Sequence, residues 1–226
     1  MPTSTVEDYL KCIYLEEQAA AGGLVPTGQV AAALGVAPGT ATSMVKTLAD
    51  SGLLAYEPYA GVRLTAAGLR LATHVLRRHR LVELFLVQVM GMNWSEVHGE
   101  AEVLEHAVSD QLIERMDDML GHPSTDPHGD PIPTAWGDIL ERTDLPSLVA
   151  CRLGVTHVLV RVTDQRTEFL RLLERHGLKP GRELVVAARD ELADMVEIRP
   201  KDGEPLQLGF RAGSRILVEA VDGKRS

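Results

Sequence analysis

A chain of 226 residues allows one to three small domains, and its 45% hydrophobic content is ordinary for a globular protein. Its apolar runs are too short to span a bilayer and no secretory leader opens it. Two cysteines, Cys12 and Cys151, make no disulfide framework, so a cytoplasmic protein is expected. The formal net charge is −9, shared as −3 over residues 1–64, −7 over 65–140 and +1 over 141–226. Charge alone therefore argues against nucleic acid, since no basic patch stands out.

Residues 4–20 read as a first helix. Ser4 and Glu7 have the spacing of a capping box, and Val6, Leu10, Ile13 and Tyr14 supply a core face. Asp8 lies off that face; taken alone, it is a first-turn acid favourable to the helix dipole. Gly22 and Gly23 break the helix. Thr27 is placed to cap a short helix with Val30, Ala33 and Leu34 inward. After the Gly35-Val36 turn, Pro38 opens a second helix that stops at Gly52. Two helices across so short a turn form a helix-turn-helix, a pattern that also occurs in proteins that bind no DNA. The second helix buries Met44, Val45 and Leu48. Leu53–Tyr56 and Val62–Leu64 then flank Pro58 and Gly61 as a small hairpin, a wing. The residues expected to face DNA are Thr27, Pro38, Gly39, Thr40, Thr42, Ser43, Lys46, Thr47 and, on the wing, Arg63.

Thr65 caps a long helix running to Met90 and stopping at Gly91, with a core row Leu69, Ala72, Leu76, His79, Glu83, Leu86 and Met90. Two ionisable groups in an apolar row are costly to bury unpaired. His79 and Glu83 either pair with each other or share a metal. Arg77, Arg78 and Arg80 are expected to flank this row on the outside.

Trp94–Gly121 reads as one long amphipathic helix, capped by Ser95 and ended by Gly121. Val97, Ala101, Leu104, Val108 and Leu112 form its apolar stripe. Beside them His98, Glu102, Glu105 and His106 follow at three- and four-residue steps, which places all four on one face. A solvated charged face is the plain alternative. Imidazoles and carboxylates at ligand spacing, with His79 and Glu83 on the preceding helix, favour a divalent metal.

The stretch His122–Pro133 carries four prolines and reads as an irregular connector whose His122 and His128 are surface or packing residues. A short helix is expected around Trp136–Leu140. From Thr156 the period changes: HVLVRV, ELVVAA, MVEIRP and RILVEAV read as strands, interrupted by a helix over Thr167–His176. That pattern suggests a small barrel. The expected fold class is mainly α over the first two-thirds with a small all-β C-terminal barrel. The expected organisation is a winged helix-turn-helix at 1–64, a helical region with the candidate metal ligands at 65–140, a linker at 141–155 and a β domain at 156–226.

The winged helix, the pattern His79-x-x-x-Glu83 with His98-x-x-x-Glu102-x-x-Glu105-His106, the PHGDPIP segment and the barrel together resemble the DtxR/IdeR/MntR family of metal-dependent transcriptional repressors over essentially the whole chain. The resemblance implies homodimers that bind palindromic operator DNA when loaded with Fe²⁺ or Mn²⁺ and repress metal-uptake genes, with an SH3-like (FeoA-like) C-terminal domain. It implies two metal ions per subunit. The primary site would be Asp8, Glu102, Glu105 and His106; the ancillary site would be His79, Glu83 and His98, completed by Gln165 and Glu168. Iron-type members carry Met and Cys where this chain has Asp8 and Glu102, and carboxylates suit Mn²⁺. Short manganese-type members carry a Glu where this chain has Lys11, so the resemblance implies a manganese-type primary site without a closely spaced second ion. An Fe²⁺-responsive repressor is the alternative within the family. Two other classes compete. A helical di-metal oxidase needs two Glu-x-x-His helices, and only one is present. A winged-helix regulator of an organic ligand needs an aromatic-lined pocket, and aromatics are 4% of the chain. The chain is expected to be no enzyme, with no membrane partner and no organic substrate.

Overall fold

The computed structural model describes residues 3–20, 23–140 and 142–221. The expected break at Gly22 lies outside the described residues. The chain divides into two compact units, one made of the residues up to His79, Val103–Ile113 and Pro133–Ile139, the other of Arg80–Glu102, Glu114–Ile132 and the residues from Leu140 on.

The first unit holds a winged helix. Helix α1 spans Ser4–Ala19, and its cap is Thr3 rather than Ser4: the Thr3 side chain accepts from the Val6 amide. Glu7 therefore does not close a capping box; it is buried and turned towards another partner, described below. Helix α2 spans Thr27–Ala33, with Pro26 at the cap position and Thr27 already inside the helix. It buries Val30 and Ala31, whereas Ala33, expected inward, is exposed. Helix α3 spans Pro38–Asp50 with Pro38 in its first turn, where the missing N–H costs nothing, and buries Ala41, Val45 and Leu48. Strands β1, Leu54–Glu57, and β2, Gly61–Leu64, pair antiparallel as the wing. Val25 bridges to Val62, and a Cβ at Gly61 would lie 2.6 Å from the Val25 carbonyl oxygen, so only glycine fits there. Leu10, Ile13, Val30, Val45, Leu48, Val62 and Leu76 close one core.

Helix α4 spans Ala66–Gln88, with Thr65 Oγ1 accepting from the Gly68 amide at 3.1 Å as expected. Every residue from Val75 to Leu84 is buried, so the helix is enclosed all round rather than along one stripe. Leu69 and Met90, expected in the core row, are exposed. Arg77, Arg78 and Arg80, expected outside, are buried, because each has a fixed acceptor: Arg77 donates to the Pro133 carbonyl at 3.0 Å, Arg78 to Asp110 at 2.6 Å, and Arg80 to the Pro131 carbonyl.

The single helix expected over 94–121 is two: α5, Val97–Leu104, and α6, Asp110–Leu120. The helix breaks at a turn through Glu105–Ala107, and Ser109 restarts it, its hydroxyl accepting from the Leu112 amide. Beyond the break the stripe shifts by one residue: Leu112 is exposed and Ile113 is buried. The helix expected around Trp136–Leu140 is absent; Thr134 Oγ1 accepts from the amides of Trp136 and Asp138 and holds a turn instead.

The second unit contains the β domain. Strands β3 (Thr156–Val162), β4 (Glu183–Asp190), β5 (Met195–Pro200), β6 (Leu206–Leu208) and β7 (Ile216–Ala220) form one antiparallel sheet in the order β6-β5-β4-β3-β7. Helix α7, Thr167–Arg175, follows β3, and a short turn of helix α8, Phe210–Gly213, precedes β7. Alternating residues such as Leu184, Val186, Val196, Ile198 and Val218 bury against Phe169, Leu170 and Leu173. Strand β6, three residues long, escaped the sequence reading.

Candidate metal centres

In the first unit, α1 and the turn after α5 converge. Within that turn His106 points Nδ1 at Glu7 Oε2, 2.7 Å away, and Nε2 at Asp8 Oδ1, 2.8 Å away. Carboxylates only accept, so both ring nitrogens donate and the imidazole is drawn as the cation. Burial works to lower the pKa of His106, but Glu7, Glu105 and Asp8 outweigh it and the net direction is upward. Glu105 is fully buried; its Oε1 takes the Lys11 ammonium at 2.5 Å and its Oε2 faces His79 Nδ1 at 2.5 Å. Ligand atoms of Asp8, Glu105 and His106 lie within 4.8 Å of one another. Two carboxylates and an imidazole are a donor set that fits a divalent first-row ion. Arg78 backs the group: it sits 3.7 Å from Glu7 and 2.6 Å from Asp110, whose carboxyl it holds below the ordinary range.

The break after α5 interrupts the helix that carries the expected four-residue stripe. Glu105 and His106 leave the helix, whereas Glu102 stays on the last turn of α5 in the second unit, 3.6 Å from His98 Nε2. His79 falls in the first unit, one turn before Glu83 on α4.

The second unit has its own cluster, centred on Glu83, whose side chain is 1% exposed. Its Oε1 is 3.2 Å from His98 Nδ1, and its Oε2 is 3.8 Å from His128 Nδ1. Ligand atoms of Glu83, Asp126 and His128 lie within 4.8 Å of one another, all buried. His128 Nε2 is 2.9 Å from the Trp94 carbonyl, which can only accept, so Nε2 carries the proton. Its Nδ1 faces Glu83, and that buried nitrogen has no hydrogen-bond partner. Such an orphaned ring nitrogen beside two carboxylates fits a metal ligand. Asp126 is oriented by accepting from the amides of His128 and Asp130 at 2.8 and 2.9 Å. Burial first, then Asp130 and Glu83, raise its pKa well above the ordinary carboxylate value. Gln165 donates to Asp130 Oδ2 at 2.6 Å, and Gln165, Glu168 and His98 line one cleft of about 630 Å³.

Glu7, Asp126 and His128 were missed. Glu7 matched a capping box, and His128 sat in a proline-rich segment that reads as packing. The Asp-x-His spacing at 126–128, next to a run of turn residues, was the available signal.

Of the expected DNA-facing residues, Pro38, Gly39, Thr40, Ser43, Lys46, Thr47 and Arg63 are exposed, while Thr27 and Thr42 are half-buried. Thr42 and Thr47 donate their hydroxyls to the carbonyls of Pro38 and Ser43 at 2.8 and 3.1 Å, so they offer only oxygen lone pairs outward. The sequence missed Tyr59 at the wing tip, fully exposed at a φ of 66°.

Comparison with known proteins gives three family matches. Residues 1–62 match "Iron dependent repressor, N-terminal DNA binding domain", residues 65–134 match "Iron dependent repressor, metal binding and dimerisation domain", and residues 147–220 match "FeoA domain". The iron-dependent repressor IdeR of Mycobacterium leprae is 32% identical over 196 residues, covering 80% of this chain and 83% of that protein. The regulator MntR of Lysinibacillus sphaericus is 36% identical over 120 residues, 53% of this chain and 84% of that protein. A solved manganese-dependent transcriptional repressor in complex with manganese is 40% identical with a TM-score of 0.83, covering 96% of this chain and 100% of the other.

Proposed function

This chain belongs to the DtxR/IdeR/MntR family of metal-dependent transcriptional repressors, and from that premise we propose that it is a manganese-responsive repressor in which Asp8, Glu105 and His106 hold the activating ion. It is a DNA-binding regulator with a dimerisation domain and an SH3-like C-terminal sheet, and not an enzyme. The observation that carries the manganese reading is the donor set: a helix of the winged domain contributes Asp8 to the same point as Glu105 and His106, with no sulfur among them. Glu102 joins these ligands in the proposal as the manganese-type carboxylate.

The bound ion supplies positive charge that several carboxylates share. The residues do the rest. Asp8 lies on α1, which packs Leu10, Ile13 and Tyr14 into the winged-helix core. Tying Asp8 to the 105–106 turn fixes α1 and the recognition helix α3 behind it. In a two-fold dimer this sets the separation of two recognition helices, which must match about one DNA turn. Ligand binding then selects the arrangement that fits a palindromic operator. Thr40, Ser43, Lys46 and Thr47 of α3 read the major groove, and Arg63 with Tyr59 places the wing. Arg77 and Arg78 take no part, because both are buried. The exposed apolar residues Val103 and Leu112 suit a surface covered by the second subunit. The functional division we propose is DNA binding by 1–64, metal binding and dimerisation by 65–140, a linker at 141–155 and the SH3-like domain at 156–226.

A second ion per subunit rests on Glu83. His79 and His98, with Gln165 and Glu168 across the cleft, make one ligand set around it. The unpartnered Nδ1 of His128 favours a second arrangement, Glu83 with Asp126 and His128. An Fe²⁺ response is the other reading of the primary site, favoured by the IdeR likeness, since intrinsic affinity rises from Mn²⁺ to Fe²⁺.

The test is fluorescence anisotropy on DNA from a metal-uptake promoter, titrated with Mn²⁺ and, anaerobically, with Fe²⁺, against a chelator and a scrambled duplex. Specific binding that appears with Mn²⁺ supports the proposal. Equal activation by Fe²⁺ discards the manganese preference, and DNA binding indifferent to metal discards the mechanism.

A further inference from the structure

Glu7 precedes Asp8 on α1, yet the two treat His106 differently. Their carboxylates straddle one imidazole: Glu7 at Nδ1, 2.7 Å away, and Asp8 at Nε2, 2.8 Å away. Glu7 is buried, its side chain 10% exposed, whereas that of Asp8 is 39% exposed. Glu7 is also braced, because Arg78 stands 3.7 Å from it and is itself held by Asp110 at 2.6 Å. A buried, braced carboxylate on one ring nitrogen and a partly exposed one on the other is an asymmetric arrangement.

We propose that Glu7 is a positioning residue that fixes the His106 ring through Nδ1, so that Nε2 is the nitrogen presented to the ion held by Asp8 and Glu105. The inference rests on the primary-site reading above. A carboxylate on the far nitrogen of a metal-bound histidine sets its tautomer and orientation. The Nε2 contact with Asp8 must be given up when an ion takes that nitrogen. The Nδ1 contact with Glu7 survives in both states. Helix α1 therefore grips the 105–107 turn by a bond that needs no metal, and the ion completes a contact already half made. The line Arg78–Glu7–His106 is the buried part of the site, and Asp8 is its closing arm.

The test uses the full-length protein with Glu7→Ala, Glu7→Gln and Asp8→Ala. Mn²⁺ affinity is measured by calorimetry, and the His106 tautomer by ¹⁵N NMR in the metal-free and Zn²⁺-loaded wild type. Glu7→Ala weakens Mn²⁺ binding about 10- to 100-fold, the usual effect of losing such a support, and Glu7→Gln, whose amide oxygen still accepts from Nδ1–H, stays within about threefold of wild type. In the Zn²⁺-loaded wild type the proton sits on Nδ1 and the metal on Nε2. Glu7→Ala binding as tightly as wild type, or metal on Nδ1, overturns the proposal; the NMR result decides it even if Glu7→Ala fails to fold. Asp8→Ala separates the two levels. Wild-type affinity in Asp8→Ala overturns the site and this inference together, whereas loss in Asp8→Ala with none in Glu7→Ala overturns the role of Glu7 alone.

Discussion

The two clusters are made of the same chemistry, carboxylates and imidazoles, but are built in opposite ways. Around Glu83, the side chains of Glu83 and Asp126 are 1% exposed and that of His128 is 0% exposed. Their orientations are set by backbone groups: the Trp94 carbonyl on His128 and the amides of His128 and Asp130 on Asp126. Around His106, Glu105 is buried against Lys11, but Asp8 remains 39% exposed at the edge of α1. A site whose donors are all fixed can only be filled. A site with one partly exposed donor on a helix of the DNA-binding domain can be closed, and closing it moves something. The proposed division of labour follows: the His106 cluster switches and the Glu83 cluster stabilises.

The largest expected effect tests the pre-formed half of the switching cluster. Glu105→Ala removes the acceptor 2.5 Å from the buried Lys11 ammonium, and breaking a buried ion pair from one side costs about 3 kcal/mol. Urea denaturation in chelator should show that loss, and a change below about 1 kcal/mol would mean that the pair carries no structural weight. His128→Ala is next. It deletes the hydrogen bond to the Trp94 carbonyl and the ring stacked on Trp94, about 2 kcal/mol together. It should also lower the Mn²⁺ stoichiometry from two to one per subunit while leaving metal-dependent DNA binding in place; loss of that binding would reverse the roles of the two clusters. Lys46→Ala is smallest and touches neither cluster. Its side chain is exposed on α3, so melting should not change, while the salt dependence of DNA binding becomes shallower by about 0.9 in log–log slope for each subunit's lost phosphate contact. An unchanged slope removes Lys46 from the interface.

The contrast also explains what could be read from the sequence. Periodicity exposed the winged helix, because its elements are short and single-faced. Helix α4 was found, but its row was misjudged: residues 75–84 are buried on every side, and no periodicity marks such a stretch. The arginines at 77, 78 and 80 read as surface because their acceptors, the carbonyls at 131 and 133 and the Asp110 carboxylate, lie more than 30 residues away. The ligand types at 98, 102, 105 and 106 were legible from spacing. The turn that takes Glu105 and His106 out of the helix was not, since nothing in AEVLEHAVSD breaks a helix by propensity; it is stabilised by what Glu105 and His106 reach, Lys11 and Glu7. Charge misled in the same way. The net −7 of residues 65–140 argued against DNA, yet several of those acids belong to the proposed metal clusters.

In the proposed switch, metal fastens α1 to the turn after α5. Amide hydrogen exchange over residues 4–19, with and without Mn²⁺, measures this directly. The account predicts that Mn²⁺ slows exchange in the N-terminal half of α1 and in the 105–109 turn, and that Asp8→Ala abolishes the effect in α1. Exchange in α1 that is the same with and without Mn²⁺, in a protein that binds the ion, would contradict it.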